Sequence, residues 1–137
     1  MFTLIAGKEG SGKTKTLIEL ANSKVKASSG SVIFINDDKG HMYDLHHDLR
    51  FINMKETSVK SPDEFFGFLC GLRSNNYDIQ TIYIDGLTNV LNASVNDIGS
   101  FVKRAEAFST EHSIDIFSTI NCELDHIPEQ LKPYLEK

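Results

Sequence analysis

The chain has 137 residues, 40% hydrophobic and 24% charged, which fits one globular domain over 1–137 and excludes a disordered chain. With 14 Lys and Arg against 19 Asp and Glu, its net charge is −5, so nucleic acid is not expected as the main partner. No apolar run reaches the length of a membrane span, and two cysteines, Cys70 and Cys122, are too few for a disulfide framework; we therefore expect a cytoplasmic protein.

The first half of the chain alternates strand and helix patterns. Residues 2–6 predict a short buried strand, and after a Gly-rich turn the apolar spacing predicts a helix from about 12 to 27. The run SVIFIN at 31–36 predicts a strand buried on both faces, as in a parallel sheet. A polar stretch over 37–50 precedes a possible short strand at 51–54.

The second half continues the alternation. Ser61 and Glu64 form a capping-box pattern that starts a helix ending near Arg73, and Ser94 and Asp97 repeat this pattern before a second helix. The remaining predictions are a strand at 81–85, a helix ending near 112, a strand at 114–120 and a short tail helix at 128–135. This order predicts a three-layer α/β/α sandwich with a mostly parallel sheet of four or five strands and right-handed crossovers.

The stretch GKEGSGKT at 7–14 matches G-x-x-x-x-G-K-[ST] at every fixed position, between a predicted strand and a predicted helix. Glycines let the backbone N–H groups wrap a polyphosphate at the positive end of the helix, where Lys13 reaches the β- and γ-phosphates and Thr14 binds Mg²⁺. The alternative is a Gly-rich turn ahead of an ordinary helix. The predicted nucleotide contacts are Gly7, Lys8, Glu9, Gly10, Ser11, Gly12, Lys13, Thr14 and Lys15.

Asp85 ends the apolar strand pattern IYID, at the sheet edge where open α/β sheets bind ligands. We expect it to hold Mg²⁺, through water, together with Thr14. The alternative is an ordinary acid that makes a turn with Gly86.

These motifs, GKEGSGKT and IYIDGLT, resemble the P-loop NTPases, and the chain is most similar to their RecA/KaiC-like branch. The resemblance implies ATP and Mg²⁺ as ligands and a water-activating carboxylate after the second strand. Asp37 and Asp38 occupy that place, although the branch prefers Glu, and an Asx-turn closing the strand is the equal alternative. The resemblance also implies a phosphate sensor at Thr119 or Asn121.

Some patterns are less specific. The His and Asp residues of the 37–50 stretch lack regular metal-ligand spacing, so we favour a mobile loop over a metal site. Apolar residues nearly encircle the helix at 62–73, which allows both core packing and a partner surface. Arg50 or Arg104 could act on a neighbouring subunit.

We therefore expect an ATP-binding protein that hydrolyses ATP slowly with Mg²⁺ and works through a homo-oligomer or a protein partner. A nucleotide-dependent switch without significant turnover is the main alternative. A small-molecule kinase is less favoured because the chain has only three arginines. ATP is preferred over GTP because the sequence contains no guanine-reading motif. The 16 residues after Asn121 leave little room for another strand, so we expect an open sheet edge beside residues 2–6 unless the tail or a second subunit covers it.

Overall fold

A computed structural model describes residues 1–136 of the chain. Its strands and helices, in chain order, are β1 (Phe2–Gly7), α1 (Lys13–Ala27), β2 (Ser31–Asn36), β3 (Arg50–Asn53), α2 (Pro62–Asn75), β4 (Ile79–Ile84), α3 (Leu87–Leu91), α4 (Gly99–His112) and β5 (Asp115–Asn121). Short 3-10 turns occupy Met42–Asp44, Met54–Glu56, Val95–Asp97, Leu124–His126 and Glu129–Tyr134.

The five strands form one sheet in the order β1-β5-β4-β2-β3, and every pair is parallel. Helix α1 packs on one face through Leu17 and Ala21, while α2, α3 and α4 cover the other face. Strand β2 is buried along almost its whole length because both faces of a parallel sheet are covered by helices. The predicted three-layer α/β/α fold is confirmed, and the possible strand at 51–54 is the edge strand β3.

Helix α2 has apolar residues on two sides because it meets two neighbours. Phe65 and Leu69 are buried in the core, and Phe66 makes edge-to-face contacts with Phe101 and Phe108 of α4, at centroid distances of 6.5 and 6.0 Å. The second apolar side of α2 therefore packs against α4, where the sequence had also allowed a partner surface.

Three elements differ from the predictions: one begins later, one was not predicted, and one has a different type of helix. Ser94 and Asp97 do pair, with Ser94 Oγ donating to Asp97 Oδ2 over 2.9 Å, but they close a 3-10 turn and α4 begins only at Gly99. Helix α3 was not predicted, since five residues are too few for a helical period to show. The tail forms 3-10 turns in place of the expected α-helix at 128–135.

The tail covers the sheet edge beside β1. Leu135 forms a parallel bridge with Leu4, and the backbone N–H of Glu136 donates to the Leu4 carbonyl over 2.8 Å. Tyr134 adds an edge-to-face contact with Phe2. The chain thus protects this edge itself, which is the first of the two outcomes that the sequence allowed.

None of the helices in residues 1–136 combines the length and the apolar character needed to cross a membrane.

Candidate functional site

A polar cavity of 430 Å³, here called the main cavity, opens at the carboxyl ends of β1, β2, β4 and β5. Open α/β sheets bind their ligands at this edge. The residues that line it are Glu9, Gly10, Gly12, Lys13, Thr14, Lys15, Asn36, Asp37, Asp38, His41, Asp85, Gly86, Asn89, Thr119 and Asn121.

The Gly-rich loop at 7–14 depends on its glycines. Gly10 and Gly12 have φ values of +83° and +89°, a left-handed conformation that is strained for other residues. At Gly7, a Cβ atom would lie 2.8 Å from Ser11 Oγ. Gly12 is also the N-cap of α1, and no side chain within residues 1–136 caps this helix start. The N–H groups of the first turn are therefore available to an anion.

Lys13 lies across the loop that precedes it. Its Nζ donates to the Lys8 carbonyl over 2.7 Å and to Ser11 Oγ over 3.4 Å, and the residue is only 8% exposed. The loop thus places a buried positive charge beside the uncapped helix start. Both features favour a negatively charged ligand in the main cavity.

Asp85 is the most heavily bonded acid of the cavity. Thr14 Oγ1 donates to its Oδ2 and Oδ1 over 3.0 and 3.2 Å, and Thr119 Oγ1 donates to Oδ1 over 2.7 Å. The Asn36 amide adds a longer contact of 3.5 Å to Oδ2. Residues from α1, β2 and β5 therefore fix the orientation of this buried carboxylate. Asp85 and Thr14 are 71 residues apart in the sequence, and the fold brings them into contact.

The two acids after β2 differ in their surroundings. Asp38 is exposed, and its Oδ1 accepts from the Gly40 N–H over 2.7 Å, which is the Asx-turn that was the alternative interpretation. The Asp37 backbone N–H donates to Asn36 Oδ1 over 2.7 Å, while its carboxylate makes no hydrogen bond within residues 1–136. Both line the main cavity, and Asp37 is the acid whose side chain is not engaged in a turn.

The structure separates the two sensor candidates. Thr119 is 2% exposed, and its hydroxyl accepts from the Gly86 N–H over 2.8 Å while it donates to Asp85. Asn121 is exposed at the cavity and its side chain makes no hydrogen bond in the described part of the chain. Thr119 therefore positions Asp85, whereas the Asn121 side chain is available for a hydrogen bond to a ligand in the main cavity.

Three of the predicted loop contacts, Gly7, Lys8 and Ser11, do not line the main cavity. The Lys8 carbonyl and Ser11 hydroxyl instead hold Lys13, and Lys8 Nζ lies 3.9 Å from the Glu123 carboxylate. Conversely, Asn89 lines the cavity without having been predicted, because it belongs to the short helix α3.

The other candidates lie outside the main cavity. His46, His47 and Asp48 place ligand atoms within 4.8 Å of one another, on a loop that Asn22 of α1 holds through two hydrogen bonds of 3.0 and 2.8 Å. Arg104 is engaged on the surface, where it pairs with Asp63 over 2.9 Å.

No protein-family model and no curated protein sequence matches this chain. Among solved structures, it is similar to the flagellar accessory protein FlaH from Methanocaldococcus jannaschii, with a TM-score of 0.58 and 17% sequence identity. The match covers 96% of this chain and 65% of the FlaH chain, so the present chain spans just under two thirds of that structure. This likeness supports a RecA-like fold.

Proposed function

We propose that the chain binds ATP with Mg²⁺ in the main cavity and hydrolyses it slowly. The observation that supports this most is the convergence of the Gly-rich loop, the uncapped start of α1 and the buried Lys13 on one polar cavity. Backbone N–H groups and a lysine are the groups that bind a polyphosphate. The RecA-like fold shared with FlaH is consistent with this proposal.

The oxygen donors of Thr14 and Asp85 suit Mg²⁺, since their side chains lie within 3.0 Å of each other at the loop and both offer hard ligands. These two residues would hold the ion, and the ion would neutralise charge on the phosphates. Thr119 and Asn36 keep the Asp85 carboxylate in place for this role.

Asp37 is the residue proposed to orient the attacking water, because the Asp38 carboxylate is already engaged by Gly40. Asp37 is one methylene shorter than the Glu that the RecA/KaiC-like branch prefers at this place. The residue after Asp85 is Gly86, at a position where many motor ATPases have a catalytic Glu. We expect slow turnover for these reasons.

The proposal also includes a homo-oligomer or a protein partner. No arginine of residues 1–136 lines the main cavity, while phosphoryl transfer commonly uses one to stabilise charge. A second copy or a partner would supply that arginine.

The second candidate function is a nucleotide-dependent switch without significant turnover. It is favoured by the turn that occupies Asp38, which leaves a single free carboxylate after β2. The two functions differ in phosphate release and share nucleotide binding.

Titration calorimetry with ATP and Mg²⁺, together with a phosphate-release assay, tests the proposal on wild type, Lys13→Ala and the control Lys24→Ala. Lys24 is exposed at the other end of the same helix. We expect Lys13→Ala to weaken ATP binding by about tenfold or more, and Lys24→Ala to match wild type.

Equal ATP affinity in wild type and Lys13→Ala would refute the nucleotide site. Tight ATP binding without phosphate release, in protein whose oligomeric state is checked by sedimentation, would favour the switch.

A further inference from the structure

Two further polar clefts branch from the main cavity. The first, of 520 Å³, lies along α3 and includes Asn92, Ser94 and Asn121. The second, of 170 Å³, lies between α3 and the segment after β3, where Lys55 and Lys60 line it. Asp37 and Asn89 line the main cavity and both clefts, so all three spaces meet at these two side chains.

The polar groups at this junction are not engaged by the protein itself. Within residues 1–136, the side chains of Asp37, Asn89 and Asn121 make no hydrogen bond, and the ammonium groups of Lys55 and Lys60 form no ion pair. On the other side of the main cavity, by contrast, Asp85 and Thr119 bond each other and their neighbours. Asp37 and Asn89 therefore offer free polar side chains where the three spaces meet.

The backbone around the two lysines is nevertheless well held. The Lys55 N–H donates to Asn53 Oδ1 over 3.1 Å, and the buried Met54 side chain anchors the same turn. The Lys60 N–H donates to Glu64 Oε1 over 2.6 Å, and Asn92 Nδ2 donates to the Lys60 carbonyl over 3.2 Å. The protein therefore fixes where the two side chains start and leaves their charged ends free.

Charged side chains of both signs line the second cleft. Lys55 and Lys60, both exposed, line it in a chain whose net charge is −5, and Asp37 lines both this cleft and the main cavity. An anionic group is attracted by the lysines and repelled by the carboxylate, whereas a hydroxyl can donate a hydrogen bond to that carboxylate.

We propose that these clefts bind a small anionic molecule that also carries a hydroxyl group. Its anionic group lies between Lys55 and Lys60, and its hydroxyl donates to Asp37 at the junction with Asn89. This inference goes beyond the proposed nucleotide site and does not require it, since the clefts do not include the Gly-rich loop; the two sites share Asp37 and Asn89.

The test follows backbone amide signals by ¹⁵N NMR while glycerol 3-phosphate is added, with inorganic phosphate and glycerol added in separate titrations. We expect glycerol 3-phosphate to shift amides of 54–60 and 88–95, more tightly than phosphate and with no comparable effect of glycerol. The Lys55→Ala/Lys60→Ala double variant should bind it about tenfold or more weakly, as removal of both cations predicts. Lys103→Ala, at an exposed position of α4, is the matched control and should bind like wild type.

Three results would overturn the inference. Shifts confined to 7–14 would place the ligand on the Gly-rich loop, and equal affinity in the double variant would remove the lysines from the site. Phosphate binding at 54–60 as tight as glycerol 3-phosphate would contradict the hydroxyl contact at Asp37. A separate titration with ATP and Mg²⁺ tests the nucleotide proposal, which predicts shifts of the amides of 7–14. The two proposals can therefore fail independently, because they are measured from different amide signals.

Discussion

Two buried threonines on adjacent strands should respond in opposite directions to the same substitution. Thr119 of β5 is 2% exposed and makes two hydrogen bonds, to Asp85 and from Gly86. Thr81 of β4 is 0% exposed, and its hydroxyl has no hydrogen-bond partner among residues 1–136. Valine keeps the shape and the β-branching of threonine, so each replacement changes mainly the hydroxyl.

The expected magnitudes follow from these contacts. Thr119→Val leaves the Gly86 N–H without its acceptor and removes a donor to a buried carboxylate, which should lower the free energy of unfolding by about 1–3 kcal/mol. Thr81→Val removes a buried hydroxyl that is unbonded, and should raise the free energy of unfolding by about 1 kcal/mol.

Urea denaturation measures both effects, since a chain of this size built on one sheet is expected to unfold in one transition. With a urea slope of about 2 kcal/mol/M, a loss of about 2 kcal/mol moves the midpoint down by about 1 M. The reasoning is refuted if Thr119→Val is as stable as wild type, or if the two variants shift the midpoint in the same direction.

Two further predictions concern alkaline stability and the sheet edge. Burial, and secondarily the charge of Asp115, raises the pKa of Tyr83 from 10.0 to about 12. The folded state holds this phenol proton more tightly than the unfolded chain, so its stabilising effect is complete below pH 10.0 and is lost as pH rises toward about 12. Urea midpoints across that range should therefore fall more steeply for wild type than for Tyr83→Phe, and parallel curves would contradict the argument. Deletion of 135–137 removes the bridge to Leu4 and should produce concentration-dependent association through β1, measured by sedimentation. If the deletion variant and wild type have the same oligomeric state at every concentration, the bridge does not protect this edge.

Much of the fold was predictable because it depends on local patterns. The apolar run at 31–36 and the spacing of Leu17 and Ala21 identify β2 and α1, and both lie as predicted. Helix α3 was missed because its five residues are too few to show a helical period, and its two caps, Gly86 and Asn92, adopt left-handed conformations that no periodicity reveals. The late start of α4 was missed because Ser94 and Asp97 form a 3-10 turn, although their spacing also fits a helix start.

The candidate site was also predictable only in part. Lys13, Thr14 and Asp85 were chosen from residue type and spacing, and the structure brings them together at one cavity. The sequence left Asp37 and Asp38 equal, and only the hydrogen bond from Gly40 distinguishes them.

The sequence by itself determined the fold class and the composition of the Gly-rich loop, because helix and strand periods and a contiguous glycine motif are local properties of a chain. The tertiary structure alone decided that Thr119 holds Asp85, that the tail covers β1, and that Lys55 and Lys60 line one cleft with Asp37. Such arrangements depend on which strand ends and turns become neighbours in a parallel sheet, and strand order brings together residues that sequence spacing keeps apart.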